Sequence, residues 1–146
     1  MMHGGDRGGV DQANLYEWGG ENQNGDYEFD IERPNWEKPI HQLMADTKVT
    51  VFFHAHDHVW VKQELDGVVY QEVSSPADSD YELTNWAVAY KDESSVILPN
   101  TGYTRVSVSP EQVQVDYVRT YLPEDESQEQ ISGEVAYSYV IEARND

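Results

Sequence analysis

Residues 49–58 read Val49-Thr50-Val51-Phe52-Phe53-His54-Ala55-His56-Asp57-His58. Five β-favouring residues run straight into three histidines at alternate positions. The first five are almost all apolar and do not alternate, which is the pattern of a strand buried on both faces. The segment before it begins with Pro39, suited to a first helical position. Ile40, Leu43 and Met44 follow at helical spacing, so residues 39–46 predict two helical turns against a core. A short helix leading into a buried strand is half of an α/β unit, and ligands of open α/β sheets collect beyond the carboxyl ends of strands. His54, His56 and His58 sit at such an end.

Neutral imidazole is a good ligand for Zn, Mn, Fe, Ni or Co. In extended backbone, residues two apart face the same way, so the three rings could converge on one metal ion or be shared between two. A tight turn after Phe53 would change which pair points inward, and spacing alone leaves both arrangements open. Asp57, between two of the histidines, can orient a ring. The chain has five histidines in all, and three of them fall within five positions, which favours a metal or phosphate site over coincidence. For His41, within the helix, packing or surface exposure is the simpler reading.

The rest of the chain is mainly β. Residues 59–65 alternate Val59, Val61 and Leu65 against Trp60, Lys62 and Glu64. Asp66-Gly67 is a type I′ turn signal, and residues 68–73 return as a second strand. A second hairpin spans residues 103–109 and 112–121, turning at Ser109-Pro110-Glu111, with Val106, Val108, Val113, Val115 and Tyr117 on its apolar side. Residues 134–141 alternate through Val135, Tyr137, Tyr139 and Ile141 and read as an edge strand. Between the hairpins, residues 74–101 form a polar excursion in which Trp86, Val88 and Tyr90 suggest a short strand. Near the start, His3 precedes a glycine-dense loop, residues 10–18 suggest a short helix ended by Gly19-Gly20, and residues 21–36 form a polar loop with a turn at Asn24-Gly25. The fold class expected is α/β with α+β character: mostly antiparallel or mixed strands and one or two short helices.

Length and charge set the limits. A chain of 146 residues is one domain or a piece of one. Nine basic residues against twenty-eight acidic ones give a net charge of -19, which argues against nucleic acid and anionic membrane as partners. The excess is spread along the chain and lysine is scarce, the pattern of a protein adapted to high salt, where concentrated ions screen self-repulsion. Aromatic and β-branched residues are too plentiful and too patterned for a disordered acidic chain. There is no cysteine, hence no disulfide framework. No apolar run approaches the length of a membrane span, and residues 1–10 lack the apolar core of a signal peptide.

Ala55-His56-Asp57-His58 resembles the last sequence block of the calcineurin-like metallophosphoesterases, whose pattern is Gly-His-x-His. Tyr16-Glu17-Trp18-Gly19-Gly20, Arg33-Pro34-x-Trp36 and Lys38-Pro39-Ile40-His41-Gln42-Leu43 resemble the region leading to that block. Residues 62–73 resemble the hairpin that follows it. The resemblance covers residues 4–121. It implies the C-terminal part of a four-layer sandwich, with His56 and His58 as metal ligands, one to each ion of a dinuclear centre. His54 and Asp57 would support them or serve as alternative ligands. The implied cofactors are divalent transition metals (Mn, Fe, Zn or Ni), and the implied substrates are phosphate mono- or diesters.

This sequence departs from the family pattern twice. Ala55 stands where the block has glycine, and one methyl group could shift the turn that aims His56. The acidic blocks Asp-x-His, Gly-Asp-x-x-Asp and Gly-Asn-His-Glu/Asp are absent, and His3 is a poor echo of the family's further histidine. Two imidazoles cannot hold and bridge two ions. The expectation is therefore a C-terminal phosphoesterase portion over residues 1–122, an acidic linker over 123–131, and a terminal strand and tail over 132–146. Such a portion is inactive alone and binds two ions only with an N-terminal half, or it is a single-metal or structural β-domain. An N-terminal half or a second copy of the chain is the partner expected to cover its open sheet.

If the charge marks adaptation to salt, far-UV circular dichroism should show fold content and melting temperature rising from dilute buffer to molar KCl. Equal values at both extremes would count against it.

Overall fold

The structure, a computed structural model, describes residues 9–78 and 80–143. His3 and the glycines at positions 4, 5 and 8 lie outside the described residues. The chain divides into two compact units. One comprises Met1–His54, Val61–Gln71 and Val88–Val96, and the other Ala55–Trp60, Glu72–Ala87 and Ile97–Asp146.

The first unit carries three short helices, α1 (Tyr16–Gly19), α2 (Phe29–Glu32) and α3 (Ile40–Asp46). A one-turn 3-10 helix, Val10–Gln12, precedes them. The predicted helix over 10–18 is thus two separate turns. Gly20, at φ 96°, closes α1 in the left-handed conformation that glycine adopts without strain. Pro39 stands at the N-cap of α3, where its missing N–H costs nothing. The strands β1 (Val51–His54), β2 (Trp60–Leu65), β3 (Val68–Glu72) and β4 (Val96–Leu98) form a four-stranded sheet in the order β1-β3-β2-β4.

That order corrects the expectation for residues 49–53. β1 is an edge strand, half-buried, with Phe53 40% exposed. The strand buried along its whole length is β3. The reason is pairing: β3, between β1 and β2, has no free edge. Two-residue turns with positive φ at both positions favour a tight hairpin, and Asp66 (φ 49°) and Gly67 (φ 74°) make that turn between β2 and β3. Ala13, Met44, Val68 and Tyr70 form the buried cluster of this unit, with Trp18, Ile40, Phe52 and Leu65 packed on it. His41 ties α3 to the hairpin: its Nδ1 lies 2.7 Å from the Tyr70 hydroxyl and its Nε2 3.0 Å from Asp66 Oδ2.

In the second unit, β5 (Gly102–Val108), β6 (Gln112–Arg119) and β7 (Val135–Glu142) form an antiparallel three-stranded sheet in that order. Register decides its two faces, because directly paired residues point the same way. Thr104, Tyr117 and Tyr137 align, then Val106, Val115 and Tyr139, then Val108, Val113 and Ile141, giving one nearly all-apolar face. Trp60 caps one end of it, stacked on Tyr117 at 5.3 Å, against Tyr137 at 5.4 Å, and donating its indole N–H to Thr104 Oγ1 at 3.2 Å. Gly102 has no room for a side chain, since a Cβ there would lie 2.4 Å from the Val118 carbonyl oxygen. The segment holding Trp86 and Val88 is a 3-10 helix, Asn85–Ala89, rather than the short strand suggested by its alternation.

The opposite face is mixed, with Arg105, Asp116 and Ser138 aligned between the apolar row of Tyr103 and Val118 and the row of Ser107, Gln114 and Val140. Asp116, 2% exposed, accepts from Arg105 Nη2 at 2.7 Å, Gln114 Nε2 at 2.8 Å and Ser138 Oγ at 2.7 Å. Gln114 and Ser138, then Arg105, hold its carboxyl down at about 2, below the ordinary 3.8. A depressed folded-state value means the network stabilises the fold above the ordinary carboxylate range and loses that contribution as pH falls from about 4 towards 2. Asp116→Asn should therefore cost on the order of 2 kcal/mol at pH 7 in denaturant melts, with the difference shrinking towards pH 2. A difference independent of pH would show that charge at Asp116 is not what the network recognises.

Candidate functional site

β1 ends at His54, and residues 56–59 bend before β2 begins at Trp60. The extended backbone that would aim three alternate rings the same way is therefore absent beyond His54. The strand runs on through His54, so the bend falls after His54 rather than directly after Phe53.

His54 belongs to the first unit and packs in an aromatic cluster there. Its ring stacks on Phe52 at 5.6 Å and 17°, and meets Tyr70 edge-on at 6.4 Å. His56 and His58 belong to the second unit and face solvent, with side chains 66% and 57% exposed. Both have positive φ, 151° at His56 and 51° at His58. Ala55 does not, so the methyl group that replaces the family's glycine meets no left-handed backbone. The unusual conformation falls on the histidines themselves: His58 lies in the left-handed α region, which histidine enters more readily than most non-glycine residues, whereas His56 at φ 151° lies outside it.

Buried neighbours hold the bend in place. Val59 and Trp60 are fully buried. Asp57 is 1% exposed, its N–H donates to Glu72 Oε1 at 3.0 Å, and its carbonyl accepts from Thr84 Oγ1 at 3.3 Å. With Asp57 pointing in, the residues on either side of it point out. His56 Nδ1 lies 3.6 Å from Asp57 Oδ1, an ion-pair distance too long for a hydrogen bond. His58 Nδ1 lies 2.9 Å from Asp78 Oδ2, a full hydrogen bond. Asp78 Oδ1 in turn accepts the Asp80 N–H at 3.0 Å. That N–H, and then the His58 ring, hold the Asp78 carboxyl below the usual carboxylate range.

The chemistry available is that of two exposed imidazoles, each beside one carboxylate. Among the described residues, no group of three or more His, Asp or Glu side chains is placed to hold a metal ion. The arrangement does not fit a dinuclear centre, which needs bridging acidic ligands. Its donor chemistry fits a single ion held by imidazole nitrogen, because a carboxylate on one ring nitrogen leaves the other free to ligate. Asp78 is the functional candidate that sequence reasoning passed over. It lies twenty residues beyond His58 in a polar stretch, and nothing in the spacing links the two.

No family profile and no curated protein matches the chain. Among solved structures it is similar to one described as "GAP50 the anchor in the inner membrane complex of Plasmodium", with 16% sequence identity and a TM-score of 0.55. The match covers 73% of this chain and 30% of that one, so the chain spans less than a third of that structure's length. The likeness is one of fold alone: a mixed α/β arrangement of two sheets and few helices. Among the described residues, no helix is long and apolar enough to cross a membrane.

If the strain of the bend sits on the histidines, His56→Gly should be neutral or stabilise by up to about 1 kcal/mol, and Ala55→Gly should destabilise. Chemical denaturation of both variants checks this. The reverse order would place the strained position at Ala55.

Proposed function

We propose that this chain is a phosphoesterase-like β-module without catalysis of its own, and that His56 and His58 offer a site for at most one divalent transition metal. The observation that carries this reading is the outward pair of imidazoles on the bend, one of them hydrogen-bonded through Nδ1 to a carboxylate. Two neutral imidazoles leave the remaining coordination positions to water, so affinity is weak and the ion lacks the bridging partners that generate an attacking hydroxide. Asp57 is turned inward and stands behind His56. His54, packed among aromatic rings, is not a ligand in this reading. Imidazole must be neutral to ligate, so binding weakens in acid.

A second reading rests on the 30% span of the solved structure. With a further segment supplying acidic ligands, the same two histidines would contribute to a two-ion centre that hydrolyses phosphate esters. The partner would then be that segment, as an N-terminal half, rather than a second copy of this chain. The spread of acidic charge keeps a high-salt source as part of the proposal.

Calorimetric titration with Zn, Mn and Ni decides between these, alongside hydrolysis of an aryl phosphate and a diester. The module reading expects at most one ion per chain, loss of binding in His58→Ala and His56→Ala, unchanged binding in His54→Ala, and no turnover. Two ions per chain, or turnover that copurifies and disappears in His58→Ala, would contradict it.

A further inference from the structure

The bond between His58 and Asp78 does more than fasten the bend. An ionised carboxylate can only accept hydrogen bonds, so at 2.9 Å the His58 Nδ1 must be the donor. Asp78 is held in its accepting state from behind by the Asp80 N–H on Oδ1, at 3.0 Å. Its own backbone carbonyl accepts the Thr101 hydroxyl, which pins residue 78 to the loop ahead of β5. The carboxylate is thus fixed at both its side chain and its backbone, while the ring it faces is 57% exposed. A neutral ring with its proton on Nδ1 carries its lone pair on Nε2. Free imidazole in water divides its proton between both nitrogens, and a donor bond to a fixed carboxylate removes that freedom.

We infer that Asp78 is a positioning residue that locks His58 in the Nδ1–H tautomer and presents Nε2 outward as the metal-binding lone pair. The inference rests on the single-ion reading for its metal, but the tautomer can be read without any metal. The carboxylate beside His56, Asp57 Oδ1, lies 3.6 Å from its Nδ1, beyond hydrogen-bond distance. The two rings therefore differ: His58 is the preorganised ligand, and His56 joins by rotating its ring.

The experiment is long-range proton–nitrogen NMR on the metal-free chain at pH about 8.5, above the ordinary imidazole range, followed by Co(II) titration. In the unmodified chain, His58 should give the Nδ1–H pattern and His56 a mixed one. In Asp78→Ala, His58 should revert to the mixture, and in the nearly isosteric Asp78→Asn it should shift part of the way. Co(II) affinity should fall about 10-fold or more in Asp78→Ala. A His58 tautomer that ignores both substitutions would overturn the inference, as would a tautomer that shifts with Co(II) affinity unchanged. If the unmodified chain binds no Co(II) while the tautomer still follows Asp78, the single-ion reading fails and the lock on the ring stands.

Discussion

The place of β3 governs the site. In chain order β2 follows β1, yet in the sheet β3 lies between them. Residues 55–59 must therefore carry the backbone past the width of a strand, roughly 10 Å from β1 to β2 at ordinary strand spacing. Five residues, which would reach roughly 17 Å if extended, cross that gap with slack, and the chain takes up the slack in a bend with positive φ at His56 and His58. Asp57 turns in, Val59 and Trp60 are buried at the far end, and the two histidines are left outside. Their exposure thus follows from topology, and their chemistry follows from exposure.

An exposed imidazole is mobile and well solvated, which makes it a poor ligand unless something fixes it. In the second unit that role falls to Asp78, ionised and anchored, on the inner nitrogen of His58. Trp60 bears on the same unit differently: its ring spans β5, β6 and β7 through Thr104, Tyr117 and Tyr137. It is also the residue at which the bend ends. One side chain thus joins the stability of the three-stranded sheet to the placement of the histidine segment.

What the sequence made legible was local. Asp66-Gly67 defined the first hairpin because a type I′ turn requires those residues, and Pro39 with Ile40, Leu43 and Met44 defined α3. Strict alternation marked β6 and β7. What stayed hidden depended on distance along the chain. An apolar run such as Val51-Phe52-Phe53 reads the same at a sheet edge as at its centre, because only its neighbours differ. The alternation of Trp86, Val88 and Tyr90 mimicked a strand, but a 3-10 helix formed there. The three β-type residues of β4 were too short to stand out from a polar stretch. At the site, the histidine cluster was visible, but its split was not. Positive φ on a histidine leaves no mark in composition, and Asp78 reaches His58 only through folding.

The central claim is that the bend presents His58 Nε2 to a single ion. A zinc-soaked crystal measured at the zinc absorption edge tests it most directly. The account predicts one anomalous peak, about 2.1 Å from His58 Nε2, with Asp78 still bonded to Nδ1. Two peaks about 3.5–4 Å apart, or a peak at His58 Nδ1 with Asp78 displaced, would contradict it.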